Sequence, residues 1–570
     1  MNMTRIDTDV AIIGAGPAGT TCGTLIKKYD PNVKVSIFER ALFPRDHVGE
    51  SLLPLVGNVL DEMGVWDKVE ACGFPIKIGG TYRWGNTDDL WDFNFLPRGE
   101  LMHEARPARF VGQRKNTAFQ VDRATYDKVL ADHAAEFGCE IRYETAVRDV
   151  CADGDRIQSI VLDDGTEVFA KYFVDASGHA GILRRKMGVE IEEPSLLRNI
   201  AVWDYWTDAE WAVKLGNGGT RIQVMSLGYG WMWFIQIGND RTSVGFVCPA
   251  EYYKQSGKSL EQLYVQAIQD EPNIRHLLRA AHREGKLAST KDWSFIAKKM
   301  TGENWFLAGE SQGFADPILS AGLTLTHASA REVAHIILEA SRGGDIDWFR
   351  QQYESRNDRR IRQHIKFADY WYTGNGNFNQ LRDYVSTIAG EAGFQMDGEK
   401  AFQWLGTGGF IDEDISAAGV ATFRLDQVHQ IGQRFSGIPP ESSLHGYNLF
   451  LLNLKGAEEV KVARFQSGRI YAVVALRRDG KTLPMSHYFK WIVEGLKASP
   501  QLEVAMPIIA EAARRDGHNF DSKLHARVTE SLEAMVRDGW VKRKVSENFP
   551  KIEHVFPHET AAIRANTPGR

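Results

Sequence analysis

The hydrophobic positions of this chain fall into two rhythms, and their alternation predicts the elements. Asp9-Val-Ala-Ile-Ile13 runs without polar alternation, as a strand buried on both faces does. A helix follows from about Pro17 to Tyr29, then a second strand from Val33 to Glu39. Residues 107–150 repeat the rhythm: a strand, a helix with apolar spacing at Tyr126, Val129, Leu130 and His133, then Ile141-Arg-Tyr-Glu. Cys151 to Phe169 reads as a β-meander, with turns at Ala152-Asp-Gly-Asp and Asp163-Asp-Gly. Residues 197–249 alternate strand-like segments with glycine turns, which predicts a larger antiparallel sheet. Phe306-Leu-Ala-Gly309 returns to a buried strand that would close the first sheet, and a helix runs from about Leu325 to Ser341.

The pattern changes after residue 345. Residues 346–390 are polar-aromatic and helical in spacing, and 391–445 are glycine-rich with weaker periodicity. Residues 446–570 read as a separate unit ending in about a dozen residues of loose tail. Within it, a helix over Val528 to Val536, a turn at Asp538-Gly539 and a strand from Trp540 form a winged-helix-like pattern. The expectation is therefore an α/β (α+β) chain of three parts. These are a Rossmann-like module at 1–345 with an antiparallel insertion at about 197–290, a connecting region at 346–445, and a winged-helix-like domain at 446–570.

Composition narrows the function classes. The 570 residues carry a net charge of −6 and no basic block, which argues against nucleic acid as a partner. The C-terminal pattern is then read as a packing or lid module that reuses a DNA-binding fold. Five scattered cysteines without C-x-x-C spacing suit a reducing, cytoplasmic setting. No apolar run reaches the ~18–20 residues of a membrane span. His47 and His103 stand alone, so no metal site is expected. The 15 tryptophans offer walls for a large apolar ligand.

The clearest chemistry lies in Gly14-Ala-Gly16-Pro17-Ala18-Gly19, which follows a buried strand and opens a helix. The first glycine permits the turn, the second lets backbone reach a pyrophosphate, and the third lets helix and strand pack. Helix N-terminal amides hold the phosphates. Glu39, 20 residues after Gly19, can accept both ribose hydroxyls. Later segments favour FAD over NAD, because a flavin needs a second set of contacts. Candidates are Gln120-Val-Asp122-Arg123 before a helix, Val174-Asp175-Ala176-Ser177-Gly178 at a strand end, and Phe306-Leu-Ala-Gly309-Glu310 before Asp316-Pro317.

With these residues in place, the chain resembles the flavin-dependent halogenases built on the hydroxybenzoate-hydroxylase-like fold, in particular their chloramphenicol-biosynthesis branch. The segment Phe43-Pro44-Arg45 through Gly49-Glu50-Ser51 to Pro54 carries the likeness. So do Lys77 in Gly73-Phe-Pro-Ile-Lys77-Ile-Gly79, Trp231-x-Trp233-x-Ile235, and Lys291-Asp292-Trp293-Ser294-Phe295. Two positions depart from the family pattern: Gln236 stands where the tryptophan motif has proline, and Glu310 where an aspartate is usual.

The resemblance implies that reduced FAD and O2 give a C4a-hydroperoxide, which oxidises chloride or bromide to hypohalous acid. The oxidant crosses an internal channel lined by Trp231 and Trp233 to Lys77, which hydrogen-bonds it or forms a chloramine. The tryptophans keep the acceptor away from the flavin. It adds Arg40, Arg45 and Ser51 to the cofactor contacts, assigns the halide to Ser320, Ala321, Gly322 and Leu323, and makes Asp292 a candidate covalent link to FAD. One glycine fingerprint implies that a separate flavin reductase supplies the reduced cofactor. The acceptor is a small natural-product intermediate, free or tethered to a carrier protein. The alternative is an FAD-dependent monooxygenase or dehydrogenase of the same fold that does not halogenate.

Overall fold

The computed structural model describes residues 4–566 except 86, 97–100, 217, 292–293, 376–379, 382–387, 389–410, 413–416, 421–422, 425–441 and 555–560. The chain divides into two compact units. One spans 1–388 with 467–469 and 560–570, and the other 389–466 with 470–559.

The first unit holds a five-stranded sheet, all of whose pairs are parallel, in the order Trp305–Leu307, Tyr172–Asp175, Val10–Ile13, Val35–Phe38, Glu140–Arg142. Val10–Ile13 and Val35–Phe38 are buried at every position, as the unbroken apolar runs require. The first strand turns into helix Pro17–Tyr29 at Gly14, whose φ is +102°. A Cβ at Gly14 would sit 2.5 Å from the Ala176 carbonyl oxygen, and one at Gly19 would sit 1.9 Å from that of Gly14. Both glycines are thus imposed by backbone contact.

A ten-stranded mixed sheet makes up the other half of this unit. Strands Asn199–Thr207, Arg241–Pro249, Gly230–Gln236 and Gly219–Leu227 are antiparallel neighbours, and Ile76–Arg83 joins the last in parallel. Strand Leu90–Asn94 follows Ile76–Arg83 and pairs in turn with Ala561–Arg564. The expected loose tail is therefore a strand over part of its length.

The first unit runs past the expected boundary at 345. Helix Gly322–Ser341, which starts three residues earlier than its periodicity suggested, packs on helix Ile346–Thr373. Buried Glu332 explains the join: it accepts from Arg360 (2.6 Å) and Asn357 (2.8 Å) of the second helix. The Tyr353 hydroxyl also donates to the Leu307 carbonyl at 2.6 Å. A buried carboxylate needs such partners, so the second helix cannot swing away as a linker would.

The second unit contains helices His487–Ala498, Leu502–Arg515 and Ser522–Arg537, followed by strand Val541–Lys544, which pairs with Leu449–Leu452. Trp491, Ile509, Val528, Leu532 and Trp540 are buried in its core, and the helix, turn and strand expected over 528–544 are present, the strand pairing with a segment about 90 residues earlier. No helix among the described residues is long and apolar enough to cross a membrane.

Candidate active site

A cleft of about 410 Å³ opens at the end of the parallel sheet. It gathers Gly14, Gly16, Pro17, Ala18, Glu39 and Arg40 from the first two strands. Later segments add Arg45, Arg123, Gly178, Glu310 and Leu323. Gly16 caps helix Pro17–Tyr29 without a side-chain hydrogen bond, so the first amides of the helix remain available to an anion. A Cβ at Gly16 would have only Arg45 Nη2 near it, at 3.7 Å, so this glycine leaves space rather than fills it.

Glu39 is pinned at the cleft edge by the amides of Ala15 (2.8 Å) and Ala41 (2.9 Å), which leaves lone pairs for hydroxyl donors. Ser51 Oγ and both side-chain termini of Gln120, which do not line this cleft, make no hydrogen bond within the protein, and Arg45 Nη1 has only the Asp127 carboxylate, at 3.4 Å. Ser51 and Gln120 are bridged backbone to backbone, so their orphaned groups lie together. Such groups are costly unless a ligand completes them, and a dinucleotide rich in hydroxyl and carbonyl groups fits.

Other expected cofactor residues have structural work. Arg123 chelates Asp127 (2.7 and 2.9 Å) and donates to the Val48 carbonyl, although it still lines the cleft. Asp175 does not line it; its carboxylate accepts from Ser177 N and Oγ and from the Leu183 amide, which shapes the turn bearing Gly178. Gly309 does not line the cleft; it packs the segment expected to hold the flavin against the first helix, since its Cβ would lie 3.2 Å from the Ala18 Cβ. Glu310 Oε2 lies near Gly178 and Oε1 near Gly322, 3.8 and 3.9 Å from where their Cβ atoms would sit. The longer carboxylate thus spans from the cleft to the turn assigned to halide. Ser320, in the left-handed region at φ +55°, ends the single 3-10 turn of that loop, and Gly322 opens the helix. Asp292 lies outside the described residues.

Lys77 is 3% exposed, and burial lowers its pKa to about 7. Its placement depends on a bulge. Strand Ile76–Arg83 carries one extra residue against Gly219–Leu227, so Lys77 faces Thr220 while Gly79 faces Arg221. Without the bulge Lys77 would share a face with Gly79 and Thr81; with it, Lys77 falls in phase with Gly80 and Tyr82. Gly79 makes this possible, because a Cβ there would be 1.9 Å from the Phe93 carbonyl oxygen. Tyr82 pairs with Val224 and Val224 with Trp233, so Lys77, Tyr82 and the tryptophan pair share one face.

Aromatic rings connect them. Trp233, Trp231, Trp84, Trp371 and Trp91 follow one another at 6.0, 6.5, 6.1 and 6.0 Å between centroids. Phe93 and Phe95 continue the line at 6.2 and 5.9 Å, and Lys77 Nζ ends it 5.6 Å from the Phe95 ring. Both indole N–H groups of the pair are engaged, Trp231 with the Tyr372 hydroxyl (2.7 Å) and Trp233 with Ser243 Oγ (3.1 Å). Neither indole N–H is therefore a free donor. Trp371, Tyr372 and Asp369 come from helix Ile346–Thr373, which the sequence pattern assigned to a connecting region. Their only sequence signal was the density of aromatics at 367–372.

Trp233 lies across Gly245, where a Cβ would be 2.1 Å from its indole. Gly245→Ala is expected to displace the ring and cost about 1–3 kcal/mol, read as a lowered thermal midpoint. Gln236, in place of proline, is fully buried and donates to the Glu210 carbonyl at 3.3 Å, so the departure is absorbed locally.

Glu50 is buried, and burial raises its pKa to about 7 against the pull of the Ser243 and Tyr205 hydroxyls. The folded apoprotein therefore keeps a proton that the unfolded chain releases near pH 4–5. Stability from this group is lost as pH rises from about 4.5 to 7, by roughly 3 kcal/mol. Denaturant midpoints of Glu50→Gln apoprotein should exceed wild type at pH 8 and converge with it at pH 4.5.

Comparison with known proteins agrees with this architecture. Residues 7–368 match the FAD-binding-domain family. The 1H-pyrrole-2-carbonyl-(peptidyl-carrier protein) chlorinase of Pseudomonas fluorescens is 31% identical over 358 residues, covering 60% of this chain and 78% of its own. The corresponding brominase of Pseudoalteromonas luteoviolacea is 30% identical over 407 residues, covering 69% and 94%. The chain belongs to the flavin-dependent halogenases. It is an FAD enzyme of the oxidoreductase class. The solved structure of the myxobacterial chondrochloren halogenase covers 73% of this halogenase at 25% identity (TM-score 0.59). The flavin-dependent halogenase CmlS shares the fold over 97% of this chain and 98% of its own, at 24% identity (TM-score 0.70). The fold of the C-terminal unit therefore has a counterpart in another halogenase.

Proposed function

We propose that this halogenase makes hypohalous acid from O2 and chloride or bromide beside the flavin and passes it internally to Lys77, which halogenates an electron-rich natural-product intermediate. Bound reduced FAD supplies the activation of O2. The observation that carries the reading is the buried lysine, poised near neutrality at the end of an aromatic line from Trp231 and Trp233. A neutral amine attacks the halogen of hypohalous acid: the N–X bond forms, the O–X bond breaks, and hydroxide leaves with the amine proton as water. The walls hold the acceptor at Lys77 and away from the cleft. The halide is held by the Ser320–Leu323 turn, Asp292 is the candidate covalent FAD link, and FADH2 comes from a separate reductase. The five cysteines, all free, suit a reducing cytoplasm.

The acceptor is either free or presented on a carrier protein, as the names of the two pyrrole halogenases describe for those enzymes. The test supplies FAD, a reductase, NADH, O2 and chloride or bromide with free and carrier-bound pyrrole, phenol and indole acceptors, and reads product mass. Halogenated product supports the reading; hydroxylated product without halogen overturns it. Intact mass after denaturation decides the covalent link, since a mass equal to the bare chain removes it.

A further inference from the structure

The turn assigned to halide is tied to the tryptophan wall by one side chain that neither motif contains. The Tyr372 hydroxyl accepts from Trp231 Nε1 (2.7 Å) and Asn199 Nδ2 (3.2 Å) and donates to Asp316 Oδ1 (3.4 Å). Asp316 heads the turn: its Oδ1 accepts from the Ile318 amide at 2.9 Å and its Oδ2 from Asn199 at 3.4 Å. Asp316, Asn199 and Tyr372 are all at least 97% buried. A second carboxylate, Asp369, lies one turn before Tyr372 on the same helix and accepts from Ser195 Oγ.

We propose that Tyr372 and Asp316 are positioning residues that couple the tryptophan wall to the Asp316–Leu323 turn, and that halide capture at this turn is accompanied by uptake of one proton on Asp316. The proposal rests on the assignment of halide to that turn.

The physical reason is charge. An ionised Asp316 beneath the turn would repel the arriving halide across a medium that screens poorly. The groups acting on Asp316 are the Ile318 amide, Asn199 and Tyr372, with Asp369 nearby; no lysine or arginine offsets either carboxylate among the described residues. Burial raises both to about 7, and part of the rise at Asp369 comes from Asp316, since two adjacent carboxylates resist joint ionisation. Protonated Asp316 removes the repulsion and keeps the turn capped. Thr324 Oγ1, buried in the first turn of the following helix, makes no hydrogen bond within the protein.

The experiment measures KM for bromide, with kcat reported separately, as trapped hypobromous acid from pH 6 to 9 in FAD-loaded enzyme. Wild type should lose about tenfold in apparent bromide affinity per pH unit above the titration. Asp316→Asn should hold KM near the low-pH wild-type level and lose most of the pH slope, the remainder belonging to the Glu310 carboxylate at the same turn. Tyr372→Phe removes a donor that favours the ionised form, and should move the midpoint up by about half a pH unit. Gly322→Ala, whose Cβ would lie 2.9 Å from the Phe314 ring, separates the two levels. If Gly322→Ala leaves the bromide KM unchanged, the halide assignment fails and the proposal falls with it. If it raises KM while Asp316→Asn keeps the wild-type pH slope, the assignment stands and the proton coupling is overturned. Should Asp316→Asn fail to load FAD, Tyr372→Phe decides alone: an unshifted midpoint overturns the coupling.

Discussion

Lys77→Ala is expected to lower kcat/KM for product halogenation by at least about 100-fold while oxidation of reduced flavin and release of trappable hypohalous acid continue. The two halves separate because Lys77 does not line the flavin cleft; it sits at the far end of the aromatic line. Lys77→Arg should fail as well, since a guanidinium stays protonated and cannot offer a lone pair to the halogen. A stability measurement independent of turnover accompanies it. Lys77 titrates near 7 when folded and about 10.4 when unfolded, so the unfolded chain binds the extra proton between these values. Stability from this group therefore rises with pH across that window and is absent below it. Lys77→Met should abolish that slope and be more stable than wild type at pH 7. Product halogenation at the wild-type rate in Lys77→Ala would remove the lysine from the mechanism.

Gly16→Val is expected to yield folded protein without FAD, with flavin affinity down by at least about 100-fold. The position of its Cβ is free of protein apart from one arginine nitrogen at 3.7 Å, so the valine would occupy space meant for the pyrophosphate. Gly14→Val is the control with the opposite signature. Its Cβ would meet the Ala176 carbonyl oxygen at 2.5 Å and its φ of +102° disfavours any side chain, so apoprotein stability and FAD are lost together. Flavin absorbance and the apoprotein thermal midpoint read the two effects. Retention of FAD by Gly16→Val would place the cofactor elsewhere.

Much of the cofactor half was legible because its signals are local. Buried strands, a glycine turn and a carboxylate at a strand end lie within 31 residues, from Asp9 to Glu39, and their geometry follows from backbone contact. Helix Pro17–Tyr29 appears with the limits its spacing suggested. Glu39 and Gly178, singled out the same way, both line the cleft. Arg123 and Asp175 were read as cofactor contacts, and the sequence could not show that protein neighbours satisfy them. Hydrogen-bond partners such as Asp127 and Ser177 are chosen by the folded backbone.

In the half that carries Lys77 and the tryptophans, the strands were legible and their relative geometry was not. Period-two alternation alone would set Lys77 with Thr81, on the face opposite the tryptophans; the bulge at Ile78 reverses this, and a bulge is a property of two paired strands. The boundary expected at 345 separated helix Ile346–Thr373 from the site it completes, because only tertiary packing reveals that Glu332 needs Arg360 and Asn357.

By itself, then, the sequence determined the nucleotide fold and the cofactor class, and singled out Lys77, Trp231 and Trp233 as candidates, since each rests on short-range backbone geometry or on a motif. Only the tertiary structure decided that Lys77 and Trp231 share a face, that Tyr372 bridges Trp231 to Asp316, and that burial raises the Asp316 carboxyl to about 7. Those properties come from burial and from contacts between residues far apart in the chain, which the order of residues does not display.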